Sequence, residues 1–162
     1  MTHLNSSRLV KCPYVRAVVY IDRYVDQLPL AGPQSGRRLR LRAPLDALGI
    51  GGGLALDRDV VAEFDNLEPK HAFEHAKSVT WRPEGGGPFP VFKGSLLVAA
   101  ATPKSCVVSL EGDYEPPLGV VGKAFDATAG RAIAQATADE LLRIICERLD
   151  LDHMRDEPHL MR

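Results

Sequence analysis

The stretch LEGDYEPPLGVVGKAFD, residues 110–126, joins a strand-like pattern to a long helical one. Pro117 can occupy the first turn of a helix, where its missing N–H has no intrahelical partner to lose. Pro116 forces Glu115 into an extended conformation, so the strand must end there. The stretch therefore predicts a rigid corner between a β-strand and an α-helix.

An apolar pattern at helical spacing follows this corner and predicts one uninterrupted helix over about 120–149. A helix of roughly 30 residues is about 45 Å long, so it must lie across a wide surface, and a sheet is the only candidate. Gly119, Gly122 and Gly130, with Ala134, place small side chains along one stripe. Because glycine costs about 1 kcal/mol relative to alanine inside a helix, the stripe indicates close helix–sheet approach or space kept open beneath the helix.

The pattern upstream of the corner is that of an antiparallel sheet preceded by one helix. Apolar positions at 4-3-4-3 spacing predict a helix over 14–28 that ends at Pro29. Alternating segments joined by short loops predict strands over 37–43, 54–65, 76–82, 91–102 and 105–112.

Composition and charge describe an ordinary globular domain. The chain has 162 residues, of which 45% are hydrophobic and 25% charged, with a net charge of −1. Such a charge gives no global attraction to nucleic acid, and the longest apolar run, 96–101, is too short to span a bilayer. Three widely spaced cysteines and a start without a signal-peptide pattern predict reduced thiols in a cytoplasmic protein. We expect one domain over 9–152 between flexible tails over 1–8 and 153–162.

Three segments around the corner resemble the SRPBCC superfamily of START-like, pollen-allergen-like and polyketide-cyclase-like proteins. They are FPVFKGSLLV (89–98), VVSLEGDYEPPLGVVGKAFD (107–126) and RAIAQATADELLRIICERL (131–149). The resemblance implies an α+β helix-grip fold, in which a curved antiparallel sheet wraps around a long C-terminal helix and encloses an apolar cavity. In that family a strand and two short helices come first. Here the helix at 14–28 precedes the first clear strand, and PLDALG (44–49) is the candidate lid.

The resemblance also implies a function, since many members bind lipids, sterols or aromatic polyketides in the cavity. We expect non-covalent binding of a small hydrophobic molecule, with no cofactor, nucleic acid or integral membrane segment. One alternative is a cyclase- or aromatase-like enzyme, in which Tyr114, Asp126 or a histidine moves protons. Another is a protein-interaction module with a filled interior. The expected lining residues are Val79, Trp81, Phe92, Leu96, Val98, Val108, Leu110, Tyr114, Gly130, Ala134 and Leu141.

Two further motifs favour structural roles over chemistry. The run GIGGG (49–53) has Leu54 where a dinucleotide fingerprint needs glycine, so it predicts a hairpin connection. His71 and His75 stand four apart in HAFEH but have no evident third ligand nearby, so no metal is expected.

Charged residues of the predicted strands indicate a solvated outer face. Glu111, Asp113 and Asp126 are near Tyr114 in sequence and are candidates for a proton-transfer group at one end of the cavity, although capping and hairpin solvation are the commoner roles of such residues. An arginine ladder predicts either pairing with acidic residues of the next strand or an anionic head-group site. The ladder is Arg38, Arg40 and Arg42, and its expected partners are Asp57, Asp59 and Glu63.

Overall fold

The computed structural model describes residues 2–32, 36–44, 55–85, 90–115 and 127–156. These ranges contain six strands and two helices. In chain order they are β1 (Thr2–Val10), α1 (Tyr14–Gln27), β2 (Arg37–Pro44), β3 (Ala55–Leu67), β4 (Glu74–Pro83), β5 (Val91–Thr102), β6 (Ser105–Glu115) and α2 (Ala127–Asp156).

The strands form one antiparallel sheet in the order β1-β6-β5-β4-β3-β2. The sheet curls, so that both of its edge strands, β1 and β2, pack on α2, while the middle strands lie farther from that helix. Helix α1 connects the two edges and packs on α2, β5 and β6. The fold is therefore the expected α+β helix-grip arrangement, in which the edges of a curved sheet hold the C-terminal helix.

A pair of glycines on the neighbouring strands β5 and β6 permits the curl. Gly94 of β5 and Gly112 of β6 face each other in register. A Cβ atom on Gly112 would lie 2.5 Å from the Cα of Gly94 and 2.8 Å from the Cζ of Phe92. Because real Cβ atoms do not approach other atoms so closely, only glycine fits at this tight bend.

Most predicted elements match the observed ones within a few residues, including the helix at 14–28 and the five strands. One strand was missed: residues 2–8, expected as a flexible tail, form most of β1 and pair with β6. Residues 153–156, also expected in a tail, form the last turn of α2. The Pro116–Pro117 corner lies outside the described residues.

The core is one continuous cluster between the inner face of the sheet and the two helices. Strands β4, β5 and β6 contribute every second residue to this cluster, as the pleat requires. Helix α2 contributes residues at helical spacing from Ala134 to Leu149. The alternation that identified the strands is therefore a direct record of which face is buried.

Burial also raises the pKa of the thiols of Cys106 and Cys146. It raises the pKa of the Cys106 thiol to about 11 and that of Cys146 to about 12. An unfolded thiol ionises near pH 9, so at higher pH the unfolded state loses protons that the folded state keeps.

We therefore expect the free energy of unfolding to fall as the pH rises from about 9 towards 11. Urea unfolding at several pH values in this range measures the effect. Replacing both Cys106 and Cys146 with alanine is expected to flatten the pH dependence, because the fixed loss of packing does not vary with pH. An equally steep fall in the double variant would contradict the assignment to these thiols.

Candidate functional site

The structure brings together ten of the eleven side chains expected to line a cavity, all of them in the core cluster. They are Val79, Trp81, Phe92, Leu96, Val98, Val108, Leu110, Tyr114, Ala134 and Leu141. The eleventh, Gly130, lies in the first turn of α2, where the surroundings of the side-chain position are outside the described part of the chain. Gly119 and Gly122, of the small-residue stripe, also lie outside it.

An aromatic row crosses the inner face near the end of the sheet where β6 leads towards α2. Trp81, Phe92 and Tyr114 are in register on β4, β5 and β6. The rings of Trp81 and Phe92 are stacked, with centroids 4.3 Å apart and an interplanar angle of 18°. The indole Nε1 of Trp81 donates a hydrogen bond to the carbonyl oxygen of Pro90 at 3.1 Å. This bond fixes the indole and satisfies its one polar group.

Small buried side chains lie on the part of α2 that packs beside β1. Gln135 donates to the carbonyl oxygen of Asn5 at 3.1 Å, and Ser6 donates to Asp139 at 2.5 Å, which fixes this part of α2 beside β1. The buried side chains on this part of the helix include Ala134, Thr137 and Ala138. The Thr137 hydroxyl donates to the carbonyl oxygen of Ile133 at 2.7 Å, so it is satisfied within the helix.

A cleft of about 550 Å³ lies at the surface beside α1, and none of the three aromatic-row residues lines it. It opens between the C-terminal part of α1 and β3, where Val25 and Phe64 line it. Its lining includes Ala62, a fully buried residue that is directly in register with Trp81. Charged and amide side chains, among them Asn66 and Lys77, form its polar walls.

The ammonium group of Lys77 is the polar feature that the sequence reasoning missed. Its side chain is only 8% exposed and projects from the same face of β4 as Val79 and Trp81. The Nζ atom donates to the Oδ1 of Asn66 at 2.7 Å and lies 2.6 Å from the Oδ1 of Asp22 on α1. The signal was present in AKSVTWR, because a lysine in phase with two core residues must find a buried partner.

The carboxylates near Tyr114 in sequence are not near it in space. Glu111 and Asp113 lie on the outer face of β6, where His3 approaches them at 3.6 and 3.3 Å. Tyr114 lies on the inner face and is 2% exposed. The expected proton-transfer group is therefore not assembled from these residues, and Asp126 lies outside the described ranges.

The two histidines of HAFEH separate as well. His71 is exposed in the turn between β3 and β4, whereas His75 is in β4 with its Nε2 3.8 Å from a carboxylate oxygen of Asp22. Within the described residues, no group of three or more histidine, cysteine, aspartate or glutamate side chains is arranged to hold a metal ion.

Two of the three arginines of the ladder, Arg38 and Arg40, are paired on the outer face of the sheet. Arg38 makes a two-pronged interaction with Glu84, with distances of 2.8 and 2.7 Å, and its guanidinium lowers the pKa of that carboxyl group. Arg40 lies 3.8 Å from Asp59, which was among the expected partners. Glu84 was not expected, because it follows β4 rather than lying in the neighbouring strand.

A curled antiparallel sheet that grips a long helix around an apolar inner face defines a helix-grip protein, and the fold is that of the SRPBCC superfamily. No protein-family model and no curated protein matches the sequence. Among the described residues, no helix has the length and apolar character needed to cross a membrane.

Three solved structures show the same fold at low sequence identity. The di-domain ARO/CYC BexL of the BE-7585A biosynthetic pathway matches with a TM-score of 0.51 and 13% identity, over 94% of this chain and 49% of BexL. The ZhuI aromatase/cyclase from Streptomyces sp. R1128 matches with a TM-score of 0.50 and 10% identity, over 95% of both chains. An uncharacterised protein from Bacillus thuringiensis matches at 0.50 and 17%, over 93% of this chain and 100% of its own.

Proposed function

We propose that this protein binds a small hydrophobic molecule, of the lipid, sterol or aromatic polyketide class, between the inner face of the sheet and its helices. The observation that carries the proposal is the cleft beside α1, which reaches Ala62, the neighbour of Trp81 in the sheet. Its volume of about 550 Å³ is within the range of small-molecule sites. The fold shared with two aromatase/cyclases supports the same ligand classes.

The chemistry of the cleft specifies an amphipathic ligand. Val25, Ala62 and Phe64 offer apolar contact, and each Å² of apolar ligand surface that they cover contributes about 25 cal/mol. Lys77 donates one hydrogen bond, to Asn66, and forms an ion pair with Asp22, and its ammonium group also lines the cleft, where it is available to a polar ligand group. We therefore place the apolar part of the ligand against the apolar side chains and its polar part at the mouth of the cleft.

Trp81, the only tryptophan of the chain, provides the test. A naphthalene-sulfonate probe is expected to bind with one-to-one stoichiometry and to quench Trp81 fluorescence by energy transfer, while the near-ultraviolet circular dichroism stays native. Native mass spectrometry of freshly purified protein is expected to show a co-purified hydrophobic molecule. A filled, non-binding interior would give no saturable quenching and would support an interaction module instead.

Ala62→Leu is expected to weaken probe binding about ten-fold, because the added side chain fills part of the cleft. Because Ala62 is fully buried in the core, the larger side chain is also expected to cost about 1–3 kcal/mol of stability by overpacking. Ala136→Leu is the matched control, since Ala136 lines a separate surface cleft between β1 and α2. Equal probe affinity in the two variants would exclude the cleft beside α1 as the binding site.

A cyclase- or aromatase-like enzyme is the second candidate, and the Tyr114 hydroxyl favours it. This hydroxyl belongs to the aromatic row and makes no hydrogen bond with the described part of the chain. It is thus free to donate to a ligand carbonyl or to move a proton. Incubation with a linear poly-β-ketone thioester, followed by mass spectrometry, should reveal dehydrated cyclic products that Tyr114→Phe fails to form. Binding without turnover in the unmodified protein would leave only the carrier function.

A further inference from the structure

Phe73, at the tip of the β3–β4 hairpin, occupies a position that its backbone does not favour. Its φ of 57° is in the left-handed region, where glycine is the usual residue, and no other described non-glycine residue has a positive φ. The backbone is held there by a hydrogen bond from the Ala100 N–H to the Phe73 carbonyl oxygen, at 3.1 Å. A phenylalanine here opposes local stability, so its side chain requires another explanation.

Packing does not supply that explanation. The Phe73 side chain is 72% exposed and meets only the edge of Tyr14, at a centroid distance of 6.4 Å. Further exposed apolar side chains follow on the helix that Tyr14 begins: Val15 is 67% exposed and Val19 is 51% exposed. These two valines are four residues apart and share the outward face of α1. Together Phe73, Val15 and Val19 form what we call the apolar tip.

Three lysines lie on turns at the same end of the sheet as the apolar tip. Lys70 lies in the same hairpin, Lys104 in the β5–β6 turn, and Lys11 directly after β1, whose last residue pairs with Cys106. All three are exposed and make no ion pair with the described part of the chain. Glu68 and Glu74 are the acidic residues of the Phe73 hairpin, and Asp150 of α2 interacts electrostatically with Lys11, so Lys70 and Lys104 are the basic residues closest in the fold to Phe73 without such an acidic neighbour among the described residues.

We propose that the apolar tip docks this protein on an anionic lipid bilayer. Phe73 enters the interface, the two valines follow, and the lysines lie at the level of the acidic head groups. Protruding aromatic and aliphatic side chains accompanied by lysines match such a surface, because each basic residue near it adds attraction and each inserted apolar group adds burial. The net charge of −1 for the whole chain does not oppose this, because attraction to head groups acts within about one Debye length.

Vesicle flotation tests the proposal with the intact protein. Vesicles of phosphatidylcholine with phosphatidylserine are expected to bind it, and vesicles of phosphatidylcholine alone to bind it much less. Phe73→Gly is expected to reduce binding about ten-fold through loss of ring burial, while its melting temperature is unchanged or higher because the backbone strain is relieved. Replacing Lys70 and Lys104 with glutamine is expected to reduce binding about five-fold for each lysine.

Val91→Ser is the matched control, because Val91 is also an exposed apolar residue but begins β5, about 30 Å along the strand from the apolar tip. It is expected to bind vesicles like the unmodified protein. The proposal is overturned if the unmodified protein does not bind anionic vesicles, or if the Phe73→Gly variant binds them as well as the unmodified protein does. If the unmodified protein forms a dimer that Phe73→Gly dissociates, and binds no vesicles, the surface would instead be assigned to contact with a second copy of the chain.

Discussion

Replacing Gly112 with alanine is expected to lower the free energy of unfolding by about 4 kcal/mol or more. The new methyl group would lie 2.5 Å from both the Cα of Gly94 and the carbonyl oxygen of Lys93. Backbone atoms cannot rotate away as a flexible side chain can, so β5 and β6 must separate or the Phe92 ring must leave the aromatic row. Gly94→Ala is expected to behave in the same way, since its partners are the same two strands.

Urea unfolding followed by circular dichroism measures this loss. Gly85→Ala is the matched control: Gly85 has a φ of 74° but no atom within 4 Å of the added Cβ. Only the left-handed backbone opposes that substitution, at about 1–2 kcal/mol. If Gly112→Ala were no more harmful than Gly85→Ala, the close approach of β5 and β6 would not exist in solution.

Asp22→Ala is expected to cost about 2–3 kcal/mol, because it leaves the Lys77 ammonium buried with only Asn66 as a partner. This value is below that of a fully buried pair, since the Asp22 side chain is 45% exposed. Lys77→Met is expected to cost less, about 1 kcal/mol. Methionine keeps most of the packing, and the Asp22 carboxylate that remains can still reach water.

A double-mutant cycle separates these contributions. The variant carrying both Asp22→Ala and Lys77→Met contains no unpaired buried charge, so it is expected to be more stable than Asp22→Ala alone. The comparison uses the unfolding free energies of the four proteins. Strictly additive losses would show that the two groups do not interact and that α1 is held on the sheet by apolar packing alone.

The periodicity of apolar residues was sufficient to predict most of the fold. Helical spacing and two-residue alternation both arise when one face of an element is buried. The alternation in 76–82, 91–102 and 105–112 follows the pleat of strands whose inner residues are almost fully buried. Strand β1 was not predicted from the sequence because two of its inner positions are polar. Ser6 faces α2 and bonds to Asp139, and Arg8 is exposed, so only Leu4 and Val10 mark the inner face.

Less of the candidate site could be predicted from the sequence. Alternation predicted which side chains face inward, but not how far each lies from its neighbours across the sheet. The cleft beside α1 depends on where the end of α1 lies relative to β3, and the contact that sets this, between Asp22 and Lys77, joins residues far apart in sequence. The steric importance of Gly94 and Gly112 was likewise invisible, because a glycine in a strand does not reveal what its missing side chain would meet.

The pairing of β1 with β6 has a consequence for how the chain folds. Strands β3 to β6 follow one another through short turns, so each of their pairings closes a short loop. The pairing of β1 with β6 brings together His3 and Asp113, which are 110 residues apart in sequence. The packing of α2 on β1 brings together Ser6 and Asp139, which are 133 residues apart. The entropy lost on loop closure grows with loop length, so non-local contacts like these slow folding. The β3–β6 meander can therefore assemble first, and the grip on α2 closes only after almost the whole chain has been synthesised.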